Sequence, residues 1–144
     1  MNPYYYNGNI TLYQAKAEEL VPHFLDGMFS VLVLDPPYTI RLNNLDEIVA
    51  RFRVKFRARA EGGAFRVIVP ALINMPTVAE FGHPHARPVE RMKEELARTT
   101  GWILDPYAGV GSTLIAAKQL GREAVGIEMD EKRCAVIVER LMAA

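Results

Sequence analysis

A chain of 144 residues, half of them hydrophobic and 24% charged, is long enough to bury one core and has an ordinary globular composition. Seventeen Lys and Arg balance seventeen Asp and Glu, so overall charge points to no polyanion partner, and one cysteine, Cys134, excludes an internal disulfide framework. No apolar run reaches the roughly 20 residues that span a bilayer, and Met-Asn-Pro-Tyr-Tyr-Tyr is unlike a signal peptide; one cytoplasmic domain over 1–144 is the expectation.

In chain order, Tyr4, Tyr5 and Tyr6 suit packing across a sheet edge, with stacking on bases as the alternative. Residues 10–13 read as a strand, 15–24 as a helix with Leu20, Val21 and Phe24 on one side, and 31–34 as a second strand. The stretch 44–59 is ambiguous: Leu45, Ile48, Val49, Phe52 and Phe56 fit a helix, whereas 51–59 alternates as a strand does. Two flanking parallel strands need a crossover, which favours helix. Strands follow at 65–69, 102–104 and 124–127, with helices at 88–97, 113–120 and 131–142; Cys134 falls among Val136, Ile137 and Leu141 as a core residue. Near-continuous apolar strands alternating with helices predict an α/β fold with a mainly parallel sheet of about five strands.

Two places carry chemistry. Asp35-Pro36-Pro37-Tyr38 directly follows the 31–34 run. In an open α/β sheet, ligands bind beyond the carboxyl ends of the strands. The prolines stiffen the backbone, and a carboxylate beside a rigid carbonyl can accept both hydrogens of one planar amino group. Tyr38 offers a flat face for an extruded base. An ordinary Pro-Pro turn with a surface Asp is the plain alternative.

The second is Asp105-Pro106-Tyr107-Ala108-Gly109-Val110-Gly111-Ser112-Thr113, again between a strand and a helix. Gly109 and Gly111 permit tight bending and close approach to a ligand. Glu128, 19 residues after Gly109, ends the next strand, where a carboxylate can accept both hydroxyls of a ribose. Leu114 stands where a dinucleotide fingerprint wants its third glycine, and the loop has no P-loop lysine. With Asp105 at its start, the loop suits a ligand bearing an ammonium group.

These residues together resemble the amino-methylating DNA methyltransferases. Asp35 to Tyr38 looks like that family's catalytic motif, Asp105 to Thr113 its S-adenosylmethionine loop, and Gly126-Ile127-Glu128-Met129-Asp130 the acidic motif that follows. The stretch His83-Pro84-His85-Ala86-Arg87-Pro88 is similar to its His-Pro-x-x-Lys-Pro motif, with Arg87 replacing lysine. The resemblance implies a Rossmann-like fold, S-adenosylmethionine as cofactor and DNA as partner. It implies a catalytic set of Asp35, Pro36, Pro37 and Tyr38. The implied cofactor set is His83, Arg87, Asp105, Pro106, Tyr107, Gly109, Gly111, Ser112, Thr113, Glu128, Met129 and Asp130.

The catalytic tetrapeptide precedes the cofactor loop, as in the permuted class, which favours DNA over RNA or protein as substrate. Asp rather than Ser at position 35 leans towards N6 of adenine over N4 of cytosine. The implied strand order begins with the 10–13 strand, then 124–127, 102–104, 31–34 and 65–69.

The sequence departs from the family twice. Ala15 and Lys16 stand where the family has Gly-Asp, with Asp130 or a backbone group as possible compensation. Only 70–82 fills the place of the target-recognition region, so recognition is minimal or comes from a homodimer or separate specificity partner. Both departures keep a non-catalytic nucleic-acid-binding or regulatory module in view as the rival reading. Arg51, Lys55 and Arg59 would form a basic helical stripe suited to DNA phosphates, against the plainer reading of a solvated face. His83 and His85 lack a third ligand pattern, so no metal is expected, and their place is loop structure near the cofactor.

Overall fold

The apolar runs at 31–34, 102–104 and 124–127 become the middle of a sheet with helices packed on both faces. The computed structural model describes residues 1–35, 45–52, 55 and 65–144. Its strands are β1 (Tyr5–Tyr6), β2 (Ile10–Gln14), β3 (Val31–Val33), β4 (Arg66–Ile68), β5 (Val78–Glu80), β6 (His83–Ala86), β7 (Ile103–Asp105) and β8 (Ala124–Glu128). The helices are α1 (Ala17–Leu20), α2 (Leu45–Phe52), α3 (Val89–Ala97), α4 (Ser112–Gln119) and α5 (Glu131–Ala143).

The main sheet runs β1-β2-β8-β7-β3-β4. Every pairing from β2 to β4 is parallel, in the order the resemblance implied, and the sheet has the Rossmann-like arrangement expected. The sheet has one strand more than the expected five: β1 adds antiparallel to β2, with Tyr5 opposite Leu12.

Period-two alternation sorts the core. Val31, Val33 and Ile103 face Met92, Leu96, Leu114, Ile137 and Leu141 of α3, α4 and α5. Leu32, Leu34, Leu104, Val125 and Ile127 face Leu20, Ile48 and Phe52 of α1 and α2. On the first side a Cβ at Gly126 would lie 2.5 Å from Leu114 Cδ1, so the bare backbone lets α4 press onto β8.

The helix expected over 15–24 is shorter. Pro22 cannot continue an α-helix, and α1 passes into a 3-10 turn, Val21–His23, ending before the extended Phe24. Within 44–59 the helical reading holds over α2; residues 53, 54 and 56–59 lie outside those described. Among the described residues, no helix is long and apolar enough to cross a membrane.

Candidate active site

β3 and β7 are neighbours, with Val31 opposite Ile103 and Leu32 opposite Leu104. Asp35, just beyond β3, and Asp105, the last residue of β7, therefore emerge at one end of the sheet. Both line a cavity of about 870 Å³, a volume suited to a small-molecule site. Pro106, Tyr107, Gly109, Ser112, Thr113, Glu128, Met129, His83 and Arg87 line it too. Pro36, Pro37, Tyr38 and Arg59 lie outside the described residues.

Asp105 is 3% exposed, with Oδ1 accepting a hydrogen bond from Tyr107 N at 3.3 Å. Burial pushes its carboxyl up to about 7; Asp35 and Glu128 act in the same direction, and hydrogen bonds from Thr113 and Tyr107 oppose them. Glu128 ties two segments together: Oε1 accepts from Gly109 N at 3.0 Å and Oε2 from Asp130 N at 2.8 Å. Each oxygen keeps a lone pair for a further donor. The loop is also fixed by Ala108 N donating to Ile127 O at 2.8 Å.

Ser112 Oγ is buried and, among the described residues, has no hydrogen-bond partner, an arrangement costly without a bound group. A Cβ at Gly109 would meet nothing nearer than His83 Nε2 at 3.7 Å, so the loop backbone stays open there.

Two expected cofactor contacts are displaced from the cavity. Asp130 caps α5, its Oδ1 accepting from Lys132 N at 2.8 Å and Arg133 N at 3.2 Å, the usual work of an acid before a helix. Gly111 is the N-cap of α4 with φ +84°, and a Cβ there would sit 2.9 Å from Ile137 Cγ1 and Cγ2. Gly111→Ala is expected to cost about 1–3 kcal/mol of stability, read by denaturant unfolding, whether or not ligand is present.

The His-Pro stretch is not a loop. It forms β6, paired antiparallel with β5. The turn has positive φ at Phe81 (52°) and Gly82 (72°). Arg140 of α5 holds it, with its guanidinium 4.3 Å from the Phe81 ring centroid and Nη1 donating to Val110 O of the glycine loop. His83 Nδ1 accepts from His85 N at 3.2 Å. Burial and the Arg133 charge lower the His83 pKa, which favours the neutral ring.

Arg87, assigned by resemblance to the cofactor, instead forks Asp35: Nε donates to Oδ2 at 3.1 Å and Nη2 to Oδ1 at 3.3 Å, while Nη1 donates to Met75 O. The arginine in place of lysine was the available signal, because only a guanidinium offers that planar fork. Glu18, Lys16 and Arg133 also line the cavity; of these only Lys16 drew notice in the sequence.

The basic stripe is not formed as expected. Arg51 is exposed, but Lys55 is buried, its Nζ donating to Pro22 O at 3.2 Å, Phe24 O at 2.7 Å and Asp26 Oδ1 at 2.6 Å. Lys55→Met should leave those carbonyls unpaired and lower stability by about 1–3 kcal/mol, seen as a reduced denaturation midpoint.

The sequence profile of the DNA methylase family, the N6/N4 group, matches residues 71–139, from the segment before β5 to the last turns of α5. Over those residues the chain is similar to this DNA methylase family. Within the methylase match lie His83, Arg87, the glycine loop and Glu128, whereas Asp35 precedes it. Type II methyltransferase M.ScaI of Streptomyces caespitosus is 37% identical over 70 residues, 46% of this chain and 23% of that protein. The matched stretch spans only 23–28% of the length of the first curated relatives.

The likeness in fold extends further than the sequence match. The M1.HpyAVI–SAM complex superposes with a TM-score of 0.70 at 17% identity, covering 92% of this chain and 100% of the other. The cytosine-N4-specific PvuII DNA methyltransferase superposes at 0.65 and 12% identity, covering 96% and 88%.

Proposed function

We propose that this chain transfers a methyl group from S-adenosylmethionine to an exocyclic amino nitrogen of a DNA base, N6 of adenine. The observation that carries the reading is the placing of Asp35 and Asp105 on neighbouring parallel strands, both lining one cavity. S-adenosylmethionine supplies, when bound, an electrophilic methyl group on a sulfonium. The donor set suits it: Asp105 would face its ammonium, Glu128 its ribose hydroxyls, and the unpartnered Ser112 hydroxyl would meet a polar group.

Asp35, with the Pro36 carbonyl beside it in sequence, accepts hydrogen bonds from the base's amino group and so directs the nitrogen lone pair. Positioning and electrostatics supply the catalysis. Between β4 and the His-Pro stretch only 70–82 is available, so base reading is assigned to a second copy or a separate specificity subunit.

The test is transfer of labelled methyl from S-adenosylmethionine to unmethylated duplex DNA, with nucleoside analysis. N6-methyladenine is the expected product. N4-methylcytosine would change the base, and labelling of RNA or protein alone would reject DNA as substrate. A non-catalytic module is the second reading, favoured by Lys16 lining the cavity where the resemblance wants an acid; neither transfer nor cofactor binding would select it.

A further inference from the structure

We infer that Arg87 is a positioning residue for Asp35 and not a ligand of the cofactor, an inference that rests on Asp35 as acceptor of the base's amino group. A carboxylate at the end of a strand, its side chain 30% exposed, is free to turn about its χ angles unless something holds it. Arg87 supplies two roughly parallel N–H bonds, one to each oxygen. A planar fork fixes orientation as well as charge. Each Asp35 oxygen then keeps lone-pair capacity for the amino hydrogens of a substrate.

The fork is itself held. The Arg87 side chain is 12% exposed, and Nη1 is spent on the Met75 carbonyl. Met75 is fully buried and its N–H donates to Pro70 O at 3.0 Å, closing the turn Pro70–Ile73 through Asn74 at φ 55°. The short segment standing in place of a target-recognition region thus forms a bracket. It runs from the end of β4 through the Met75 carbonyl and Arg87 to Asp35. All three donor atoms facing Asp35 and Met75 are occupied in this way, and none of these bonds involves the glycine loop or Glu128.

The experiment compares Arg87→Lys, Arg87→Gln, Asp35→Asn and the Arg87→Gln/Asp35→Asn double variant with the unchanged chain. Arg87→Gln is expected to lower kcat roughly a hundredfold, the scale of a small misplacement of a reacting group. Arg87→Lys, which keeps the charge and loses the fork, should recover part of that loss. The Kd for S-adenosylmethionine, read by calorimetry, should stay within about twofold in both.

Unchanged kcat with a Kd raised tenfold or more would overturn the proposal and return Arg87 to the cofactor. Thermal midpoints supply a readout without turnover: the two single shifts should not add in the double variant. Additive shifts would show that the pair is absent and overturn the proposal. An unchanged chain that transfers no methyl group to any acceptor removes the proposed function and the positioning role with it, while the midpoints still judge the pair.

Discussion

Asp35→Ala is expected to abolish methyl transfer, a fall in kcat of at least roughly 10²–10³-fold, the scale seen when one preorganised electrostatic partner is removed. The affinity for S-adenosylmethionine should stay within about twofold, because Glu128 and the glycine loop are held by bonds that do not involve Asp35. The variant also leaves the Arg87 guanidinium, among the described residues, with Met75 O alone. That loss costs about 1–3 kcal/mol of stability, so turnover is compared well below the thermal midpoint. Retained transfer would reject Asp35 as the group that orients the acceptor nitrogen.

The second large effect is on pH. Buried Asp105 titrates at about 7 against an ordinary 3.8, with burial the main cause. A cationic ligand favours its ionised form, so below pH 7 ligand and proton compete. Affinity for S-adenosylmethionine should fall by up to about tenfold per pH unit. Above roughly 7.7–8.0 the ligand's own α-amino group begins to lose its charge, so binding peaks between. Calorimetry at pH 7 in buffers of different ionisation enthalpy should register release of about half a proton. Asp105→Asn should bind weakly and without the acid limb; affinity that stays level from pH 5.5 to 7 would reject the assignment.

The same group affects folding with a definite sign. The folded chain holds this proton at pH values where the unfolded chain has lost it. Its stabilising contribution is complete below about 3.8 and lost as pH rises through about 7. Asp105→Asn should therefore raise the denaturation midpoint of the ligand-free protein at pH 8 while weakening binding.

Much of this was legible from residue order alone. Runs such as Val31 to Leu34 and Ala124 to Ile127, bounded by turn formers and ending in Asp35 and Glu128, gave strand positions, and the family resemblance implied their spatial order. What escaped was short or locally contradictory. β1 is two residues long, too short for any alternation. β6 carries Pro84, which argues against a strand unless it lies in a small hairpin.

Side-chain direction was harder still. Helical spacing puts Lys55 on a solvated stripe, but the Pro22 break leaves carbonyls at the end of the 3-10 turn that an ammonium satisfies. Asp130 was read as a ligand, and its place before α5 also makes it a cap. Arg87 was placed by family pattern, whereas its partner, Asp35, lies 52 residues earlier.

The strand order also bears on how the chain matures. Synthesis delivers β1, β2, β3 and β4 first, yet β2 and β3 meet only through β8 and β7. Until residue 105 has emerged, the nascent sheet is two disconnected two-stranded pieces, each marginal in water; β7 then adds to β3, and the pieces join only when β8 pairs with both β7 and β2. Their apolar faces stay open until then, a state prone to aggregation. Of the six strands of this sheet, the two made after the others are the ones that join the two halves.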